Sequence, residues 1–143
     1  MRIADVLRNK GSAVATVESR ASVADLVAAL AEHNVGAMVV IGPEGGIAGI
    51  VSERDVVRKL HDRGGELLAA PVSEIMTSEL FTCSPRDSVD SLTVLMTEQR
   101  IRHVPVVDGD RLVGIVSIGD VVKSRINQLQ EDQDQLTAYI VQG

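Results

Sequence analysis

Apolar and polar positions follow one another along the chain in a pattern that occurs twice. In the first copy, Val23, Leu26, Val27 and Leu30 recur at helical spacing behind Ser22, which stands where an N-cap residue would start a helix. This spacing predicts an amphipathic helix with one buried face.

Two short apolar runs follow that helix and predict a pair of strands. The helix is expected to stop near residues 34–36, with Gly36 in the left-handed conformation of a C-terminal cap. The runs occupy residues 37–41 and 47–51, and a turn rich in glycine separates them. A second helix is predicted from about Asp55 to Gly64.

The second copy repeats this order of elements. Its predicted elements are a helix over about 88–99, strands over 103–107 and 112–116, and a last helix from Ile118 to about Val141. An Asp-Gly step at Asp108 lies between the two strands and indicates a tight hairpin. Short extended pieces that begin at Thr16 and Thr82 complete a β-α-β-β-α unit, present twice.

The sequence itself is duplicated along with the pattern. GIVSERDVV at residues 49–57 returns as GIVSIGDVV at 114–122, and the lead-in IADVL at 3–7 resembles VSEIM at 72–76. Each copy has about 65 residues, a size at which a separate core is marginal, so a shared core is expected. The predicted fold class is α/β (α+β), with the two repeats packed as a pseudo-two-fold pair.

The predicted domains follow from the repeat. They are residues 1–70 as the first repeat with its lead-in, 71–126 as the second repeat, and 127–143 as a helical extension. Composition then narrows the function classes. A net charge of −6 argues against a nucleic-acid binder with a basic face, and one cysteine cannot form an internal disulfide. No apolar run reaches the roughly 18 residues of a membrane span, so we expect a soluble, cytoplasmic protein.

Each copy ends its last strand on a serine and has an aspartate three residues later. The pairs are Ser52 with Asp55 and Ser117 with Asp120. One interpretation is structural, because Ser-x-x-Asp is a capping box that satisfies amides at a helix start. The other is functional, because a helix N-terminus suits a phosphate and a carboxylate can accept hydrogen bonds from a ribose diol. Both interpretations can hold for the same residues.

The motifs GIVSERD, GIVSIGD, VGAMVVI, IRHVPVVDGDRLVGIVS and VSEIMT give the chain a family resemblance. It resembles a stand-alone pair of cystathionine-β-synthase (CBS) domains, the arrangement called a Bateman module, from about Ile3 to Ile126. The resemblance implies adenosine-containing ligands in clefts between the two domains. It also implies a homodimer, since CBS pairs commonly assemble into one.

The resemblance assigns roles to individual positions around such a ligand. Ser52 and Ser117 would face phosphate, and Asp55 and Asp120 would hold ribose hydroxyls. The backbone would flank the base around Thr16, Met38, Thr82, Val104 and Pro105. Further candidates for phosphate contacts are Arg54, Arg58, Arg102 and His103. A solvated surface charge is the alternative for Arg54 and Arg58, whereas Arg102 and His103 precede a predicted buried strand and are expected near the cleft. The copies differ around these positions, so the two clefts need not both be occupied.

Other residues offer little catalytic chemistry. Cys83 could act as a nucleophile, but it occupies the position of Val17 in the other copy, which favours a small buried side chain. Three scattered histidines give no metal-ligand spacing. No metal site, no cofactor and no enzymatic activity are therefore predicted.

The last helix carries an apolar stripe beyond the end of the repeat. Its members are Val122, Ile126, Leu129, Leu136 and Ile140, with the polar Gln133 in the same seam. The spacing is that of a short heptad pattern. The stripe could lie against its own domain, or pair with a second subunit or a partner protein.

These observations predict a non-catalytic regulatory, energy-sensing module that binds an adenine nucleotide as its regulatory ligand and transmits the bound state to a partner. AMP, ADP or ATP are preferred over S-adenosylmethionine or NAD. The alternative is a constitutive protein-interaction or dimerisation scaffold without a small-molecule ligand.

Overall fold

The first copy adopts the predicted β-α-β-β-α order in a computed structural model that describes residues 1–11 and 14–142. Helix α1 (Ile3–Lys10) precedes it. The copy then consists of β1 (Thr16–Glu18), α2 (Val23–His33), β2 (Ala37–Ile41), β3 (Ile47–Ser52) and α3 (Glu53–Arg63). Two 3-10 helices, Gly64–Ala69 and Val72–Glu74, lead towards the second copy. Strand β2 pairs with β1 in parallel and with β3 in antiparallel orientation.

The second copy has the same helices and hairpin but lacks a full first strand. Its elements are α4 (Val89–Gln99), β4 (His103–Asp108), β5 (Arg111–Ser117) and α5 (Ile118–Gln142). Where the first copy has β1, Cys83 forms an isolated parallel bridge with Val106. The predicted extended piece at Thr82 and Cys83 is thus reduced to one bridge. The predicted hairpin between β4 and β5 is confirmed, and the fold is mixed α+β with a long C-terminal helix.

The chain forms two compact units, which exchange the lead-ins of the sequence repeat. The first-copy unit runs from β1 to Thr82 and so contains the lead-in of the second copy. The second-copy unit contains α1 together with the chain from Cys83 onwards. The predicted boundaries at residues 70 and 126 follow the sequence repeat, whereas the contacts group each lead-in with the other copy. This exchange is not predicted by the repeat alone.

A glycine at the start of each GIVS segment accommodates the exchanged lead-in. A Cβ atom on Gly49 would lie 2.6 Å from the carbonyl oxygen of Thr77, whose amide and carbonyl both bond Ile50. A Cβ atom on Gly114 would lie 2.6 Å from Cδ2 of Leu7. Close approach therefore requires glycine at both positions. These two close contacts explain why both GIVS segments begin with glycine.

Each unit has its own apolar core, built largely from equivalent positions of the two copies, so the prediction of one shared core is wrong. Leu26 of α2 is 0% exposed and its equivalent in α4, Leu92, is 2% exposed. The first-copy core comprises Val23, Leu26, Leu30, Met38, Val40, Val51, Val56, Leu67, Ala70, Val72 and Ile75. The second-copy core comprises Ile3, Val6, Leu7, Cys83, Val89, Leu92, Met96, Val104, Val106, Val116 and Val121. Val23, Leu26 and Leu30 of the stripe predicted for α2 thus face the core, whereas its fourth member, Val27, is exposed.

Helix α2 ends at the predicted stop near residues 34–36, but its left-handed residue differs from the prediction. Asn34, and not Gly36, adopts the left-handed conformation, with φ of 53°. Asparagine tolerates this region better than most residues, and the Asn34 amide closes the helix by donating to the Ala31 carbonyl. Gly36 instead accepts a hydrogen bond from the Glu53 amide at 2.9 Å.

Helix α5 runs for 25 residues, close to its predicted extent. Only Val121 and Ser124 of this helix are buried. The stripe residues are exposed: Val122, Ile126, Leu129, Leu136 and Ile140. The last residue of the predicted extension, Gly143, lies outside the described residues. The stripe therefore does not pack against the described part of its own chain.

Candidate functional site: two serine–aspartate corners

The first corner is the pair Ser52 and Asp55, where β3 ends and α3 begins. The Asp55 carboxylate accepts from the Ser52 amide at 2.8 Å and from the Ser52 hydroxyl at 3.1 Å, both through Oδ2. The Asp55 amide donates back to the Ser52 hydroxyl at 3.3 Å. Both residues are half-buried. The predicted capping box is confirmed here, and it fixes the carboxylate at the mouth of the helix.

The second corner is the pair Ser117 and Asp120, where β5 ends and α5 begins. The Ser117 amide donates to Asp120 Oδ2 at 2.9 Å, and the Asp120 amide donates to the Ser117 hydroxyl at 3.1 Å. The two corners thus share the same backbone and side-chain arrangement. The duplicated sequence has produced a duplicated local structure.

The first amide of each helix already has a partner. The Glu53 amide donates to Gly36, and the Ile118 amide donates to the Arg102 carbonyl at 2.8 Å. An anion at either corner would therefore depend on the serine hydroxyl and on side chains more than on these amides. Of the free amides that the sequence predicted for phosphate binding, the first one in each helix is thus already occupied.

Lys10 distinguishes the second corner from the first. Its amine lies at the end of α1, 2.6 Å from Asp120 Oδ2, and also donates to the Ile115 carbonyl at 2.8 Å. The pair is partly shielded, with 35% of the lysine side chain and 22% of the aspartate side chain exposed. Among the ion pairs of the described residues, one involves Asp120 and none involves Asp55.

Opposing effects act on the pKa of the Asp120 carboxyl. Partial burial raises its pKa, but the hydrogen bonds from Lys10 and Ser117, together with the lysine charge, lower it more. The net pKa lies below the ordinary value of 3.8. Asp120 is therefore held as a carboxylate in the folded protein.

A groove of about 250 Å³ opens beside this pair, between α1 and α5. Its lining residues are Val6, Asn9, Lys10, Asp120, Lys123, Ser124 and Asn127. Two lysines and one aspartate give it a net positive charge, unlike the chain as a whole. Sequence reasoning missed Lys10, although the lead-in alignment contains a signal: Lys10 is three residues past Leu7, and the corresponding residue past Met76 is the acidic Glu79.

The other predicted site residues of the first copy lie on the strands next to the first corner. Met38 is buried in β2 and pairs with Val51, the residue before Ser52. Thr16 is exposed at the start of β1 and pairs with Val39. Arg54, the second residue of α3, is exposed.

In the second copy, His103 lies beside the second corner, because it pairs in register with Ser117. Val104 and Pro105 follow on β4 and are buried. Thr82 is exposed and ends the first-copy unit, so the contacts group it apart from the other predicted residues of its own copy.

Cys83 has the properties of a core residue. Burial, with a smaller contribution from the Asp87 carboxylate, raises the pKa of the Cys83 thiol to about 12. A thiol at this pKa is a poor nucleophile near neutral pH. The preference for a buried, unreactive cysteine is confirmed.

The CBS domain model matches residues 3–62 and 72–127, one match for each copy. This chain belongs to the CBS-domain family. The CBS domain-containing protein CBSX3, mitochondrial, of Arabidopsis thaliana is 38% identical over 99% of this chain and 72% of its own length. The predicted family and tandem arrangement are therefore confirmed.

Solved CBS structures share the fold. The CBS-domain containing protein ATU1752 from Agrobacterium tumefaciens is 40% identical, with a TM-score of 0.83 over 87% of this chain and 92% of its own. The CBS domain pair of protein MJ0100, in complex with 5'-methylthioadenosine and S-adenosyl-L-methionine, is 26% identical. Its TM-score is 0.78 over 90% of this chain and 98% of its own. CBS pairs of this kind thus include one that binds adenosine-type ligands.

Two searches of the described residues gave no site of another kind. Across residues 1–11 and 14–142, no helix is both long and apolar enough to cross a membrane. In the same part of the chain, no three histidine, cysteine or acidic side chains are grouped so that they could hold a metal ion.

Proposed function

We propose that this CBS-domain protein is a non-catalytic regulatory module whose Ser–Asp corners bind an adenosine-containing ligand. AMP, ADP and ATP are the proposed class, ahead of S-adenosylmethionine and NAD. The bound state would be passed to a partner, and the protein would act as a homodimer in the cytoplasm.

The geometry of the first corner carries this proposal. All hydrogen bonds to Asp55 from the described residues end on Oδ2, which holds the carboxylate in one orientation. Its other oxygen can accept from the two hydroxyls of a ribose, and charged acceptors form the stronger hydrogen bonds. The Ser52 hydroxyl can turn from Asp55 towards a phosphate. Because the Met38 side chain is buried in the core, the backbone around this residue on the adjacent strand would flank the base.

The similarity to the MJ0100 pair supports the ligand class, because that structure contains two adenosine-type molecules. The phosphate preference has a separate support in this chain. The groove beside the second corner contains Lys10 and Lys123. Positive side chains favour a phosphorylated ligand over one without phosphate.

Transmission to a partner is supported by the continuity of α5. Asp120 is the third residue of a helix that continues to Gln142. A ligand that contacts Asp120 would bias any alternative position of the helix by its differential affinity for the two states. The exposed half of α5 would then present that change to a partner.

A thermal-shift screen tests the proposal. A ligand at one hundred times its Kd should stabilise the protein by roughly 2.7 kcal/mol. Asp55→Ala should abolish binding at the first corner and Asp120→Ala binding at the second, whereas Ser84→Ala, outside both corners, should leave the shift unchanged. The absence of a shift with AMP, ATP, S-adenosylmethionine and NAD would refute the proposal.

The exposed stripe of α5 favours a second candidate, a constitutive dimerisation or interaction scaffold. Leu129 and Leu136 are each 60% exposed on the same seam, which a second copy of the helix could cover. The Leu129→Glu, Leu136→Glu double variant should then become monomeric in sedimentation velocity. Unchanged nucleotide affinity in that variant would separate assembly from sensing. A wild-type protein that sediments as a monomer would exclude self-association through this stripe.

A further inference from the structure

The second corner contains an internal partner that the first corner lacks. The Lys10 amine contacts Asp120 Oδ2, the same oxygen that accepts from the Ser117 amide. Its second bond, to the Ile115 carbonyl, holds the amine beside the end of β5. A ribose diol that approaches this carboxylate must therefore displace or accommodate an ammonium group.

The duplication shows that this cation is specific to one corner. Both lead-ins pack against the glycine of a GIVS segment, through Leu7 at Gly114 and through Met76 and Thr77 at Gly49. Three residues past Leu7 the chain has Lys10, and three residues past Met76 it has Glu79. The equivalent position thus carries opposite charges in the two lead-ins. The first corner has no counterpart of the Lys10–Asp120 pair among its described contacts.

The Lys10–Asp120 ion pair is weak enough for a ligand to displace the lysine. Because both side chains remain partly exposed, solvent screens their attraction, and the pair changes an equilibrium by no more than about fivefold. An uncharged adenosine ligand that displaces Lys10 from Asp120 gives the amine no new partner. A phosphate-bearing ligand replaces the lost contact, because its phosphate can pair with the released amine beside Lys123 in the same groove.

We propose that Lys10 makes the second corner selective for phosphate-bearing adenosine ligands, while the first corner accepts adenosine ligands with or without phosphate. This inference rests on the proposed function. It makes Lys10 a specificity residue, and it makes the two corners inequivalent in ligand class and not only in affinity.

The test uses the full chain with Asp55→Ala, so that the second corner is the one measured. Isothermal titration calorimetry would compare ADP with adenosine before and after adding Lys10→Met, which keeps the aliphatic stem and removes the charge. We expect Lys10→Met to tighten adenosine by up to about fivefold and to weaken ADP by a similar factor. The affinity ratio of ADP to adenosine should therefore fall, by up to about 25-fold if both effects reach their upper bounds.

Two matched variants control the measurement. Lys10→Arg keeps the charge and should retain the wild-type ratio. Lys59→Met removes an exposed lysine of α3, outside the groove, and should also leave the ratio unchanged. Near-ultraviolet and far-ultraviolet circular dichroism of each variant checks that the fold is intact.

The outcomes separate this inference from the function on which it rests. If wild-type protein binds ligand but Lys10→Met leaves the ratio unaltered, the role of Lys10 is refuted while the sensor function stands. If Asp55→Ala abolishes all binding and Lys10→Met does not restore it, the second corner is not a ligand site, and the inference is again refuted. If the wild type binds neither ADP nor adenosine, the proposed function itself fails.

Discussion

The two corners share their capping hydrogen bonds but differ in the charged side chain beside the aspartate. Ser52 and Ser117 each end a strand and cap a helix through an aspartate three residues later. Within the described part of the chain, Asp120 is paired with a lysine and Asp55 is not. The capping contacts satisfy free backbone groups at the start of a helix in either copy. Under the proposed function, the charge next to the corner would act on the ligand and not on the start of the helix.

The cores extend the same comparison to the interior. Leu26 and Leu92 occupy equivalent positions and are almost fully buried. Leu26→Ala and Leu92→Ala should each lower the free energy of unfolding by about 2–5 kcal/mol, through lost burial and the cavity left behind. Urea denaturation followed by circular dichroism measures both.

Similar losses would show that the two cores are energetically equivalent. The exposed Val94→Ala on α4 is the control and should change stability by less than about 0.5 kcal/mol. A loss below 1 kcal/mol for either leucine variant would contradict the packing described for that unit.

The repeated glycines sharpen the comparison, because the atoms that crowd them differ. At Gly49 a methyl group would meet the Thr77 carbonyl oxygen, a backbone atom held by the bridge to Ile50. At Gly114 it would meet the end of the Leu7 side chain, which can move. Gly49→Ala should therefore cost about 1–3 kcal/mol, and Gly114→Ala less.

Thermal unfolding of the two variants checks this order, with Gly46→Ala as a control at a turn position that has no atom within 4 Å of the new methyl group. The order would be reversed if the Leu7 contact were the more rigid. Equal losses would indicate that both lead-ins yield to the same extent.

The sequence predicted the repeated elements well because their causes are local. Helical spacing in α2 and α4, the hairpin at Asp108 and the two Ser-x-x-Asp caps are each specified within a few residues. The long helix α5 was predicted for the same reason. Its exposed stripe follows from the spacing of Val122 to Ile140, although the sequence left open whether the domain covers it.

The misses have non-local or subtle causes. The Lys10–Asp120 contact joins residues 110 positions apart, and it depends on the exchange of lead-ins between copies. The spacing of apolar residues along the chain does not predict which copy a lead-in packs against. The left-handed residue after α2 was assigned to Gly36 and is Asn34, because asparagine can adopt this conformation at a smaller cost than most side chains. The segment of the second copy that corresponds to β1 forms only a bridge at Cys83. A short apolar segment does not show whether it will form a full strand.

The smallest expected effect is on how the free energy of unfolding falls at low pH, and it depends on Asp120. Its pKa in the folded protein is lowered, so the unfolded chain takes up this proton first as the pH falls. The carboxylate therefore contributes its full stability above the ordinary pKa of 3.8, and this stability is lost as the pH drops through the lower folded-state value. Asp120→Asn should reduce the acid sensitivity by no more than about 1 kcal/mol, because solvent screens the pair.

Urea denaturation from about pH 7 to about pH 3 measures the difference between wild type and Asp120→Asn. Lys10→Met should reduce the same sensitivity, and adding Asp120→Asn to it should change little more, because the two residues act through one contact. Asp90→Asn removes an ion pair whose partners are 65% and 82% exposed and serves as the control. If Asp120→Asn retained the wild-type profile, the Lys10 contact would not distinguish the two corners in solution.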